Sequence, residues 1–155
     1  MPENFERYTK KPITDLLVDL PLAQAFSPLQ LDTLAKHFKA YLLPPGTKLL
    51  EEKKPNDYLY FVCEGSLNVV VATPDKHGRP LPVIAKGKIV GEASFFDHAD
   101  CSATVVTIEE SIILSMNRAD FLSLGIESPH CALAFTLEVF RLFAQRLRTL
   151  ISVMY

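Results

Sequence analysis

The stretch GEASFFDHADCSAT, residues 91 to 104, holds the side chains with the most chemistry to offer. Gly87 and Gly91 stand four apart, Glu92 follows the second directly, and Ala93-Ser94 suits the opening of a short helix. Glycine lets backbone amides close on an anion, and the N–H groups at a helix start attract negative charge. A carboxylate would repel a phosphate set against it, yet it accepts a hydrogen bond from a sugar hydroxyl. A sugar phosphate is a ligand that uses both features. Short glycine turns between strands are common, so residue types alone leave a plain turn as the other reading.

No other constellation points to catalysis. G-x-S-x-G, H-E-x-x-H and a glycine-rich lysine loop are all absent from the sequence. His37, His77, His98 and His130 are scattered over unlike segments, which predicts no metal centre of the clustered-histidine kind and no resident cofactor. Cys63, Cys101 and Cys131 are odd in number and lack C-x-x-C spacing, so free thiols in a reducing compartment are expected. A formal charge of -2 and the lack of any long Lys/Arg block argue against direct nucleic-acid binding. The polar start MPENFERYTKK reads as no secretory signal, and no run approaches the roughly 18 apolar residues of a membrane span. These features predict a soluble, cytoplasmic, non-enzymatic chain with no membrane partner.

The elements that must position residues 91–104 are legible from period and punctuation. All eleven prolines lie at or before Pro129, and Ser128-Pro129 starts a long C-terminal helix. Ser27-Pro28 gives the same start signal before LQLDTLAKHFK, and Thr14 is expected to cap a shorter helix over DLLVDL. Between the helical ends, the runs at 58–64, 66–73, 81–85, 102–108 and 112–116 are short, rich in β-branched or aromatic residues and bounded by turns, as strands are. PDKHGRP, 74–80, reads as a hairpin loop. In 58–63, Tyr58, Tyr60 and Val62 oppose Leu59, Phe61 and Cys63, so both faces of that strand should be covered. The order predicts a mainly β (α+β) chain: a double-stranded β-helix or jelly-roll core over about 41–116, N-terminal helices, and C-terminal helices over 118–155. Residues 1–20 read as a lead-in with a short helix, and 21–155 as the domain itself.

The ordered set Pro45-Gly46, YLYFV at 58–62, Glu64-Gly65-Ser66, Gly87-x-x-x-Gly91-Glu92, Ser102-Ala103-Thr104, Arg118-Ala119-Asp120-Phe121 and Arg146-Leu147-Arg148 resembles the cyclic nucleotide-binding domain family, in its catabolite-activator-like form. The resemblance runs over residues 22–151 and implies a phosphate-binding cassette at 91–104. It assigns Glu92 to the ribose 2′-hydroxyl, the amides of Ala93 and Ser94 to the cyclic phosphate, and an added hydrogen bond to Ser102, with Gly91, Ala103 and Thr104 completing the cassette. It also places an arginine nine residues after the glutamate, and here that position is Cys101.

Loss of one partner from a desolvated charge pair costs about 3–5 kcal/mol, or roughly two to four decades of affinity. His98 is the foremost substitute cation, with Lys86, Lys88 and Arg79 on nearby turns. Cys101 itself reads either as a small filler or as a thiolate made reactive by the cradle. The region around Thr149, Leu150 and Ile151, where the resemblance calls for base-capping polar residues, is largely apolar.

In the last helix Leu133, Leu137, Phe140, Ala144, Leu147 and Ile151 form one apolar stripe, and Phe135, Val139, Leu142, Phe143 and Leu150 widen it past a single face. A homodimer through that helix is expected, with core packing alone as the other reading. With no effector domain within these 155 residues, output would pass through a protein effector. Two functions follow. One is a sensor for a cyclic nucleotide, cyclic AMP or cyclic GMP, or a related small ligand. The other is a degenerate module kept for dimerisation or docking.

Overall fold

The computed structural model describes residues 2–72 and 81–154, so the 74–80 hairpin expectation and Arg79 lie outside the described residues. Two antiparallel sheets face each other. One runs in the order β1 (Glu6–Arg7), β2 (Lys39–Leu43), β9 (Ser111–Asn117), β4 (Tyr58–Glu64), β7 (Ile89–Val90). The other runs β3 (Lys48–Leu50), β8 (Thr104–Thr107), β5 (Ser66–Val70), β6 (Ile84–Ala85). The late strand β9 lies between the early strands β2 and β4, the chain-crossing order of a jelly roll. The expected β-roll with flanking helices is the fold observed.

The doubly apolar strands explain how the layers stack. Leu59, Phe61 and Cys63 of β4 and Ile112, Leu114 and Met116 of β9 face the helices, while Tyr60, Val62 and Ile113 fill the space between the sheets. Side chains alternate across a strand, so each of these strands serves two cores. The outer core is closed by α1 (Ile13–Val18), α2 (Pro28–Ala35), α4 (Arg118–Glu127) and α5 (Pro129–Met154). There Phe38 meets Phe61 and Phe135 edge-on at 5.8 and 5.9 Å. No helix among the described residues is long and apolar enough to cross a membrane.

Helix starts follow local chemistry. Ser27 and Gln30 form a reciprocal capping box at α2: the Gln30 amide donates to Ser27 Oγ at 3.2 Å and the Ser27 amide to Gln30 Oε1 at 2.8 Å. At α5 the Cys131 amide reaches Ser128 Oγ at 3.4 Å. Thr14 does not cap α1; Pro12 holds that position in an extended conformation without a side-chain bond, so the helix begins two residues earlier. The lead-in is also tied to the roll: β1 pairs with β2, and Leu16, Leu17 and Leu20 are buried in the outer core.

A charged clasp joins the end of α2 to the α4–α5 junction. Glu127 lies 2.7 Å from His37 Nε2 and 3.2 Å from Lys36 Nζ. These two partners, His37 first, hold the Glu127 carboxyl below its ordinary value. A depressed carboxyl contributes stability above its unfolded value of 4.5 and loses it as pH falls through the folded one. Glu127→Gln is therefore expected to lose less stability than the native chain on acidification below about pH 4.5, read as the difference between two curves of Tm against pH. Parallel curves would show that the clasp carries no linkage.

Candidate functional site: a cassette beside the last helix

Residues 91–100, where Ala93-Ser94 suits the opening of a short helix, contain α3 (Glu92–Asp97), a helix pinned from outside at both ends. Gly91 caps its start at φ +83°, and a Cβ there would meet Tyr58 O at 2.5 Å and Asn56 Nδ2 at 2.9 Å, so only glycine fits. The Asn56 side-chain amide donates to Tyr58 O at 2.7 Å and to Ser94 Oγ at 3.1 Å. At the far end Arg118, first residue of α4, donates to Phe95 O and Ser94 O, each at 3.2 Å, and to Asp57 Oδ1 at 2.6 Å. Phe95 also stacks edge-on against Phe121 at 5.6 Å, and Phe121 lies 6.2 Å from Phe135. The cassette is thus mechanically joined to β4, α4 and α5.

A cavity of about 560 Å³ opens between α3, the β3–β8–β5–β6 sheet with β7, and α5. That volume is in the range of small-molecule sites. Of the predicted residues, Gly91, Glu92, Ala93, Ser94, Cys101, Ser102 and Ala103 line it. Thr104 and His98 do not. Thr104 accepts the Glu52 amide through its hydroxyl at 3.0 Å, and exposed His98 closes α3 at φ +64°. Among the turn cations, Lys88 lines the cavity and Lys86 does not. Thr149 and Leu150 reach it from α5, and Ile151 is turned to solvent.

The cation that meets Glu92 is Arg146, which sequence reasoning placed only within a motif. Its guanidinium donates Nη1 to Glu92 Oε1 and Nη2 to Ile89 O. Glu92 is 5 % exposed, so this ion pair neutralises an otherwise unpaired buried acid and connects α3 to α5. The signal was present in the spacing: Arg146 lies four residues after Leu142 and seven after Val139, the buried face of α5. Among the described residues Glu92 Oε2 has no protein partner, leaving an acceptor for a hydroxyl or N–H donor.

Cys101 is buried and bridged through its backbone, its amide donating to Lys54 O and its carbonyl accepting the Lys53 amide, both at 2.8 Å. Burial pushes its thiol up, against a smaller opposing pull from the Ser94 hydroxyl. A raised thiol disfavours thiolate, so the geometry supports a space-filling Cys101 over a reactive one. Cys63, deeper still, is pushed up to about 12 by burial.

Residues 42–127 match the family model described as cyclic nucleotide-binding domain. The chain is 28 % identical over 104 residues to the cyclic AMP receptor protein of Thermus thermophilus, covering 67 % of this chain and 48 % of that one. It is 30 % identical over 126 residues to a cyclic nucleotide-gated potassium channel of Mesorhizobium japonicum, covering 81 % and 32 %. It spans less than half the length of either relative. The crystal structure of a cyclic nucleotide-binding domain from Methylobacillus flagellatus superposes with a TM-score of 0.78 at 25 % identity, over 89 % of this chain and 78 % of the other. By fold and by the matched residues 42–127, the chain belongs to the cyclic nucleotide-binding domain family.

Proposed function

We propose that the chain is a non-enzymatic sensor module that takes a cyclic nucleotide or related small ligand in an altered cassette and reports occupancy through α5. One observation carries this reading: Arg146 of α5 is bonded to Glu92 at the wall of the cavity. A hydroxyl-bearing ligand accepted by Glu92 sits against the same carboxylate that anchors the helix. Binding and helix position are then one equilibrium, because a ligand shifts a two-state element by its differential contacts.

The outer side of α5 supports a homodimer as the means of output. Cys131, Phe135, Val139 and Leu142 are buried on the roll, while Leu133, Leu137, Phe140, Leu147 and Ile151 are exposed and Ala144 is half-buried. Phe140 is 67 % exposed, a large apolar area for a residue in mid-helix. The same stripe favours the second reading, a module kept for dimerisation or for docking a protein effector.

Ligand-induced change in Tm across cyclic nucleotides and their relatives separates the two, with light scattering run alongside. The sensor reading expects at least one small ligand to raise Tm and to shift the monomer–dimer balance. A dimer indifferent to every ligand at millimolar concentration leaves the docking module.

A further inference from the structure

Resting on the sensor reading, the charge on the cavity wall narrows the ligand class. Among the described residues the lining holds three carboxylates, Glu92, Asp97 and Asp100, against two cations, Lys88 and Arg146. Arg146 is already engaged by Glu92 and Ile89 O. Asp97 accepts the Ala99 amide at 2.8 Å, and Asp100 is exposed at the rim, one residue before Cys101. An anion seated between Ser94 and Cys101 therefore meets a thiol in place of a cation and two nearby acids, and among the described lining residues Lys88 is the one cation not already paired. The walls elsewhere are largely apolar, with Leu50, Val69, Ile84 and Val90 from the roll and Leu142 and Phe143 from α5, beside the polar Gln145 and Thr149.

We infer that the cavity discriminates against anions and selects an uncharged small molecule with a hydroxyl or N–H donor head and an apolar or aromatic body. The head donates to Glu92 Oε2, the acceptor left open by the Arg146 pair. The body lies on Val90, Leu142 and Phe143, where apolar contact provides the affinity a charge-assisted bond would otherwise supply. Asp97 and Asp100 act as a repulsive element, since specificity is set by disfavouring the wrong ligand as well as by holding the right one.

Matched probes test this on the native chain by calorimetry: adenosine against cyclic AMP, and guanosine against cyclic GMP. Each pair shares base and ribose and differs by the phosphate. The uncharged member is expected to bind about tenfold more tightly or better at low salt, and the gap should narrow as salt screens the rim acids. In Asp97→Asn/Asp100→Asn, two changes at exposed positions, the preference should shrink severalfold, with Tm confirming the fold. Equal or tighter binding of the cyclic phosphates to native protein overturns the inference and leaves the sensor reading standing. An unchanged preference in the double variant also overturns the role of the acids. Silence from all four probes overturns the inference, and the wider ligand scan by Tm then decides the sensor reading.

Discussion

Cys101→Arg is expected to raise the affinity for cyclic AMP by about two decades over the native chain, measured by calorimetry. A guanidinium offers two charge-assisted donors in a plane and keeps its proton, which a thiol pushed up by burial cannot imitate. A desolvated charge pair is worth about 3–5 kcal/mol by truncation, and Asp97 and Asp100 will compete for the new cation, so the lower end of that range applies. About 3 kcal/mol is two decades. Space is available, because the 101 side chain already borders the 560 Å³ cavity and a longer one can extend into it. The amides of Ala93 and Ser94, which the proposed reading assigns to the phosphate, stay where α3 and the Asn56–Ser94 bond hold them. An affinity for cyclic AMP unmoved by the substitution would mean that the cassette is no longer aimed at a phosphate.

The second large effect is on stability. Arg146→Met is expected to cost about 3 kcal/mol in urea unfolding, since it leaves Glu92 buried without a counter-charge and Ile89 O without a donor. Methionine keeps the apolar stem, so the loss reports the guanidinium and not the packing. In a Glu92→Gln background the same change should cost about 1 kcal/mol or less, because the buried charge is gone. The difference is the coupling energy of the pair. Equal costs in both backgrounds would show that Arg146 stabilises α5 without acting through Glu92.

The layered core was legible because β4 and β9 carry apolar side chains on both alternating faces, which only a strand covered on two sides tolerates. Ser27-Pro28 and Ser128-Pro129 marked their helices correctly because capping is a local bond, made within three residues. Thr14 misled because a proline before it supplied the extended backbone that a capping side chain otherwise secures. The docking of β1 on β2 left little trace, since a two-residue strand has no period to read.

The site divides along the same line. Glu92 and the glycine before it stood out by type and spacing, and Cys101 by the family pattern. The residues that hold them in place act across long separations: Arg146 is 54 positions from Glu92, and Arg118 is 24 from Ser94. No periodicity encodes which side chain a neighbouring element will present. His98 was favoured because it lies inside the cassette by sequence, yet a left-handed residue at the end of α3 turns that point of the chain away from the cavity.

Arg146 and Leu147 are neighbours in the chain, about 100° apart around α5, one bonded to the cavity wall and the other 47 % exposed on the outer stripe. The helix therefore has no gearing between its two sides: a roll or slide that moves one residue carries the other with it. In the proposed dimer, thermodynamic reciprocity then makes protein concentration a variable of sensing, because a ligand that tightens the seam is held more tightly by the assembled pair in the same ratio. The cell's expression level of such a chain would set its threshold as surely as the cassette does.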